Sequence, residues 1–202
     1  MLMRAAADGG GYAARMATLR STILNTPLGE MLAASVEHDG REALCLLEFS
    51  DRRALPTERR DLERHFGSDF PDPGEALGVL AELSRELEAY FQGDLRAFGL
   101  PLAHPGTPFC RQVWEQLLRV PYGEVISYME LAHRVAKPGG SRAVGQANGR
   151  NRIAIVVPCH RVIAADGTLG GYGGKIWRKQ RLLELEGVAG CRLLERQEAS
   201  LR

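Results

Sequence analysis

The residue whose surroundings suggest chemistry is Cys159. It follows an apolar run at 153–157, sits between Pro158 and His160, and has Arg150, Arg152 and Arg161 close by in sequence. The thiolate is the nucleophilic form of cysteine, and nearby positive charge or an imidazole favours it. The pattern predicts a nucleophile delivered by a buried segment. A Cys-His dipeptide alone would equally suit a buried structural cysteine, so the flanking elements must decide.

Residues 153–157 are rich in β-branched side chains and read as a short buried strand ending at Pro158. Upstream, Thr107 reads as an N-cap with Pro108 at the first helical position, opening a helix that carries Phe109, Val113, Trp114, Leu117 and Leu118. Pro121-Tyr122-Gly123-Glu124 is a turn, Ser127 caps a short helix reaching Val135, and after Pro138-Gly139-Gly140 a second cap, Ser141, opens a helix to Asn148. Short helices joined by tight turns predict a helix-turn-helix. Downstream, 167–174 is glycine-rich, and 175–186 reads as a basic helix ended by Gly187.

The first half has a different texture. Apolar runs at 28–36 and 41–49 flank Asp39-Gly40, a hairpin signal. Residues 52–70 read as a short helix or an irregular crossover. Leu80, Leu83, Leu87 and Tyr90 mark an amphipathic helix over 76–91. Three prolines and a glycine between 100 and 108 mark a linker. The expected organisation is a disordered N-terminal extension (1–20), an α/β domain (21–100), a linker (101–107), a second domain (108–190) and a tail (191–202). The fold class is α+β: a small antiparallel sheet with helices first, then a mostly helical winged helix-turn-helix domain.

The chain of 202 residues carries 26 Lys and Arg against 25 Asp and Glu, a net charge of +1. The total hides an asymmetry. Residues 21–100 hold 16 acidic and 8 basic side chains, whereas 101–202 hold 15 basic and 8 acidic. A basic half of this kind suits a polyanion. No apolar run is long enough to span a membrane, and the N-terminus, with Gly9-Gly10-Gly11 and Met1, Met3 and Met16, lacks the apolar core of a secretory signal. The four cysteines Cys45, Cys110, Cys159 and Cys191 form no metal-binding spacing. They suit a reducing, cytoplasmic setting. Cys45 and Cys110 read as core residues, Cys191 as an exposed tail thiol, and His38, His65, His104 and His133 as incidental.

The longer strings around Cys159 carry more information. Pro158-Cys159-His160-Arg161-Val162, then Gly170-Gly171-Tyr172-Gly173-Gly174, Arg178-Lys179 and Leu182-Leu183-Glu184-Leu185-Glu186-Gly187 resemble the O6-alkylguanine-DNA alkyltransferase family. Pro121-Tyr122-Gly123-Glu124-Val125-Ile126-Ser127-Tyr128, Ser141-Arg142-Ala143-Val144-Gly145 and Asn151 match as well, over about 106–188. The first half resembles the family's N-terminal domain, a ribonuclease-H-like fold, in size and pattern only.

The resemblance implies a methylated-DNA–protein-cysteine S-methyltransferase that repairs O6-methylguanine, and also O4-methylthymine. Cys159 would take the alkyl group irreversibly. His160 would draw off the thiol proton through a water, and Glu186 would orient His160, as in a catalytic triad. Tyr128 would donate a proton to the departing guanine and crowd the rotated phosphate. Asn151 would brace the helix-turn-helix against the active-site strand. Tyr172, Gly173, Gly174 and Val162 would wall the base pocket. Arg142 would fill the gap left by a flipped base, while Ala143, Gly145 and Ala147 would let a recognition helix approach the minor groove, with Tyr128 and Arg150 also on DNA. Ala154, where some relatives carry proline, would widen the pocket toward bulkier alkyl groups. The partner would be double-stranded DNA without strong sequence preference, bound by a monomer. No cofactor is expected, and no zinc, because no cysteine precedes Cys45.

Three other readings fit less well. An alkyltransferase-like lesion-binding protein would have lost the nucleophile, which is present. A cysteine hydrolase would need Cys159 and His160 to pair directly, although adjacent side chains in an extended segment point apart. A fused adaptive regulator would need a longer chain and a cysteine cluster.

Overall fold

The computed structural model describes residues 17–188. Most of the expected N-terminal extension, together with Cys191 and the tail, lies outside the described residues. The fold class is α+β. Three antiparallel strands, β1 (Thr18–Thr26), β2 (Gly29–His38) and β3 (Arg41–Phe49), form a meander in that order. Asp39 and Gly40 both adopt positive φ, 52° and 73°, the geometry of a tight hairpin turn that matches strand twist.

Strand β1 takes in Thr18, Leu19 and Arg20, which sequence reading gave to the extension. Its apolar alternation is weak because two of its buried positions are Ser21 and Thr22, whose hydroxyls donate to the carbonyls of Pro71 and Gly74 at 2.9 and 2.8 Å. Between β2 and β3 the register shifts: Ala34 faces Leu46 and Ser35 faces Leu44, leaving Cys45 as the extra residue. This bulge reverses the in-out parity of β3. Leu44, Leu47 and Phe49 therefore share one core, while Cys45 and Leu46 join the other.

Each sheet face is covered. Helix α1 (Leu55–Phe66) closes the smaller core through Leu55 and Leu62. Helix α2 (Val79–Gln92) packs on the opposite face through Leu80, Leu83, Leu87 and Tyr90. It starts three residues later than the periodicity suggests, where Glu42 on β3 accepts a hydrogen bond from the Val79 N–H at 3.0 Å. The expected linker is pinned rather than free. The Leu44 N–H donates to Pro101 O and the Ala103 N–H donates to Leu44 O, both at 2.8 Å.

In the second half, α3 (Pro108–Leu117) is capped by Thr107, which accepts from the Cys110 N–H at 3.2 Å. Strand β4 (Ile126–Ser127) leads into α4 (Tyr128–Arg134), capped by Ser127. Helix α5 (Ser141–Gly149) starts at Ser141 itself, with Gly140 in the cap position and no side-chain cap, so the expected Ser141 cap is not made. Strand β5 (Val162–Ile163) pairs in parallel with β4, and α6 (Ile176–Leu185) closes the domain.

The expected strand at 153–157 is not a strand. Ile153 makes one bridge to Leu47, and the chain then turns, with Val157 N–H donating to Ile153 O at 2.9 Å. Asn151 imposes this turn. Its Oδ1 accepts from the Ile153 N–H at 3.0 Å and its Nδ2 donates to Val157 O at 2.8 Å. Ile155 is held at φ 69°, a conformation that costs a β-branched residue roughly 1–3 kcal/mol. The run is buried and apolar, as expected, but coiled.

One hydrophobic core runs from Leu47, Phe49 and Tyr90 through Trp114 and Val144 to Val157, Cys159 and Leu182. The two halves share an interior. Among the described residues no helix is long and apolar enough to cross a membrane.

Candidate active site

Cys159 opens a single 3-10 turn, Cys159–Arg161, directly after the coiled segment. It is 7% exposed. Asn148, on α5, donates from Nδ2 to the Cys159 carbonyl at 3.3 Å, so α5 and the Cys159 turn are tied together. Burial pushes the Cys159 thiol up to about 11, and a hydrogen bond from Asn151 only partly offsets it. At neutral pH the thiol keeps its proton. A nucleophilic role therefore requires a base.

His160 is fully buried, with Nε2 2.9 Å from Glu186 Oε1. Glu186, at the end of α6, also accepts from Tyr90 Oη at 2.7 Å and from Arg161 Nε and Nη2, each at 2.9 Å. Burial alone would raise this carboxyl; His160 and Arg161 outweigh it and hold Glu186 at about 2. Burial lowers the affinity of His160 for a second proton, against the pull of Glu186. The imidazole is thus neutral at pH 7, its Nε2–H committed to a permanently ionised carboxylate. Nδ1 is buried with no hydrogen-bond partner among the described residues. That atom is available to accept a proton.

In front of Cys159 lies a cavity of about 400 Å³. Its lining includes Tyr128, Gly145, Asn151, Tyr172, Gly173 and Arg52. Burial raises Tyr128, which keeps its phenolic proton at neutral pH. Gly145 faces the Tyr128 ring, where an added Cβ would make contact at 3.7 Å.

The sequence matches two family models in succession. The ribonuclease-like domain of 6-O-methylguanine DNA methyltransferase covers residues 19–104, and its DNA-binding domain covers 108–188. The methylated-DNA–protein-cysteine methyltransferase of Methanosarcina barkeri is 41% identical over 164 residues, 81% of this chain and 94% of that relative. The chain belongs to the 6-O-methylguanine DNA methyltransferase family. The Mycobacterium tuberculosis methylated-DNA–protein-cysteine methyltransferase is 54% identical over 116 residues, 57% of this chain and 68% of the relative. The crystal structure of Mycobacterium tuberculosis OGT in complex with DNA superposes with a TM-score of 0.68 at 41% identity, covering 83% of this chain and 92% of that one. As a member of this methyltransferase family, the chain is a DNA repair transferase whose residues 108–188 form the DNA-binding domain.

Of the residues singled out from sequence, Cys159, Tyr128, Asn151, Gly145, Tyr172 and Gly173 meet on the one cavity, with His160 and Glu186 directly behind Cys159. Arg142 is exposed in the first turn of α5, and Ala143 beside it is half-buried. Ala147 instead faces the core, its carbonyl accepting from Trp114 Nε1 at 2.9 Å, so it offers no surface to DNA. Arg150 is exposed beyond α5 and borders a neighbouring cavity. Val162 and Gly174 stand apart from the lining of the methyltransferase cavity. Val162 is buried in β5 with its carbonyl bonded to Lys179 Nζ at 2.6 Å, and the space above Gly174 is filled by Phe49 and Tyr172.

The basic half is less available than its count suggests. Arg152 pairs with Asp61 at 3.0 Å, Arg161 with Glu186, and Arg178 with Asp51 at 2.6 Å. Lys179 is fully buried with Nζ on the carbonyls of Val162 and Leu169. Exposed Arg111, Arg119, Lys137, Arg142 and Arg150, outside these ion pairs, remain as surface charge. Sequence reading missed three residues of the site: Asn148, Tyr90 and Arg52. Tyr90 looks like one more apolar position on α2, and Arg52 like one more charge in a mixed stretch. Nothing local marks Tyr90, whose partner Glu186 lies 96 residues away, and the nearby partners of Arg52, Glu48 and Glu58, do not announce its contact with Gly149 across 97 residues.

Proposed function

We propose that this methyltransferase reverses O6-methylguanine, and O4-methylthymine, in double-stranded DNA by moving the alkyl group irreversibly onto Cys159. The observation that carries the reading is a buried thiol at the wall of a base-sized cavity, backed by a neutral imidazole on an ionised carboxylate. In the reaction the Cys159 proton passes through a water to His160 Nδ1. The thiolate attacks the alkyl carbon, the S–C bond forms and the O6–C bond breaks, leaving its electron pair on guanine. Tyr128 gives the leaving base a proton and is reprotonated from solvent. The thioether has no leaving group that water can displace, so each chain acts once.

A stacked base cannot reach Cys159, so the base flips out at a cost of roughly a few kcal/mol. Helix α5 supports minor-groove docking, with Arg142 entering the duplex in place of the lost base and Tyr128 crowding the rotated phosphate. Gly145, Ala143 and Arg150 follow the strands, and Tyr172 and Gly173 wall the base pocket. Asn151 sets the turn that carries the nucleophile. Contacts to phosphate give affinity in any sequence and weaken with salt. The chain works as a monomer in the cytoplasm, without a cofactor.

The deciding experiment is intact-mass spectrometry after incubation with an oligonucleotide holding one O6-methylguanine. One methyl adduct per chain, mapped to Cys159, is expected; unmodified folded protein refutes the reading, and several product equivalents per chain refute the single-use mechanism. Arg142→Ala should slow repair of duplex DNA far more than reaction with a free O6-alkylguanine base. An equal loss on both substrates rules out the flipping role.

The pH profile follows from His160. Burial lowers its pKa below the ordinary 6.5, so the imidazole stays a competent base down through pH 6.5. Transfer to a free base should hold up there and fall only as His160 gains its second proton at lower pH. A rate that drops already between pH 8 and 7, measured by single-turnover kinetics, would contradict a neutral buried base.

A further inference from the structure

The active-site cavity is not built by the DNA-binding domain alone. Arg52, just after β3, reaches across and lines it beside Cys159. Its side chain is 9% exposed and held on three sides: Nη1 lies 3.3 Å from Glu48, Nη2 lies 3.0 Å from Glu58, and Nη2 also donates to Gly149 O at the end of α5 at 2.9 Å. Gly173, also in the lining, sits against this guanidinium; a Cβ there would run into Arg52 Nη1. These partners offset the cost of burying the cation and hold it in one place at the cavity wall.

We propose that Arg52 is a positioning residue for alkyl transfer, a fixed positive charge lent by the N-terminal domain that favours the thiolate of Cys159 and is tempered by Glu48. The consequence for repair rests on Cys159 being the alkyl acceptor; the effect on the thiol itself does not. The charged and titratable groups around the thiol are Arg52 and Glu48 from the sheet side, Lys179 from α6, His160 beside it, and Tyr128 and Tyr172 across the cavity. Around Arg52 stand Glu48, Glu58 and, beyond Glu58, Arg152.

The signs within this cluster oppose one another. Arg52 and Lys179 lower the Cys159 pKa, whereas an ionised Glu48 raises it. Glu48 is almost wholly buried, and burial pushes its carboxyl up to about 8, against the pull of Arg52. Below that pH Glu48 is protonated and Arg52 acts on the thiol with little opposition. Above it the carboxylate counters Arg52.

This sign difference separates an electrostatic role from a mere latch between domains. Breaking the Glu48–Arg52 pair from either end would have the same effect on a latch and opposite effects on the thiol. The test is the rate of carboxamidomethylation of Cys159 by iodoacetamide, mapped by peptide mass spectrometry in DNA-free protein from pH 6 to 10. The single-turnover rate with a free O6-alkylguanine base is measured alongside. Arg52→Met should slow both by about tenfold, one unit of thiol pKa. Arg52→Lys, which keeps the charge but not the fork, should recover to within about threefold of wild type. Glu48→Gln should match wild type below pH 8 and exceed it by about two- to threefold above.

Equal slowing by Arg52→Met and Glu48→Gln, or no change in either, overturns the proposal. If Arg52→Met does not fold, Glu48→Gln and Arg52→Lys decide: Glu48→Gln no faster than wild type above pH 8 is sufficient to reject it. Thiol labelling that shifts as expected while no alkyl group is transferred by wild type would instead overturn the repair reading and leave this one standing.

Discussion

Cys159→Ala is expected to abolish alkyl transfer completely while leaving affinity for DNA that contains O6-methylguanine within about twofold of wild type. The side chain is buried, and its loss removes one sulfur from a core that otherwise stays packed, at a cost of about 1 kcal/mol. The surfaces proposed to meet DNA, on α5 and around Tyr128, do not depend on the thiol. His160, Glu186 and the cavity lining also remain, so any residual adduct after incubation would have to form elsewhere. Intact-mass spectrometry combined with a DNA-binding titration checks both halves. An adduct on the variant sinks the assignment of the acceptor, and a collapse in affinity shows that Cys159 has a structural part in docking. The variant would behave as a lesion-binding protein, the alternative reading against which the presence of Cys159 with His160 and Glu186 speaks.

Glu186→Ala should cost more than activity. The carboxylate is the common partner of His160, Arg161 and Tyr90, with Gly123 N–H at its edge at 3.5 Å. Removing it leaves the Arg161 guanidinium buried with the Val120 carbonyl, at 2.7 Å, as its remaining hydrogen-bond partner among the described residues. Stranding one member of a buried ion pair costs about 3–5 kcal/mol, which should appear as a large drop in thermal midpoint. Transfer should fall by about 10²–10⁴-fold, because His160 loses the group that fixes its tautomer. Glu186→Gln keeps the shape and separates the two effects: a smaller stability loss with most of the rate loss. The same group sets an acid limb of stability. Its folded-state value of about 2 lies below the ordinary 4.5, so its stabilisation is full above about pH 4.5 and fades as pH falls toward 2. In Glu186→Ala that part of the acid dependence should be missing.

Much of this was legible in the sequence where local signals are strong. Asp39-Gly40 marks the hairpin, Thr107-Pro108 opens α3, and Ser127 opens α4, each because a turn or cap needs a particular residue type at one position. The strings around Cys159 single out Cys159, His160 and Glu186, which the structure brings into one neighbourhood. What could not be read depends on long-range partners. Residues 153–157 have strand composition, yet the two hydrogen-bonding ends of Asn151 coil them. Arg152, Arg161, Arg178 and Lys179 look like DNA-facing charge, yet each is spent on an internal partner. Tyr90 and Arg52 enter the site from the other half of the chain, and no local pattern announces that. The bulge at Cys45 was equally hidden, since it shows only in how β2 and β3 align.

The backbone ladder between Leu47 and the segment before Cys159 has a practical bearing on how such proteins can be recombined. Leu47 N–H donates to Arg152 O, and Ala154 N–H donates to Leu47 O, each at 2.8 Å. The two family domains are thus written as separate modules in the chain but are not portable ones. A chimaera that grafts residues 108–188 onto another member's first half inherits a Cys159 loop whose missing strand must come from the new host. The new host must present backbone groups to pair at the position of Leu47, and where it lacks a hydroxyl at that of Tyr90 or a cation at that of Arg52 the contacts to Glu186 and to the Cys159 cavity are lost with them. The border between the modules is where the chain can be cut, and the active site straddles it.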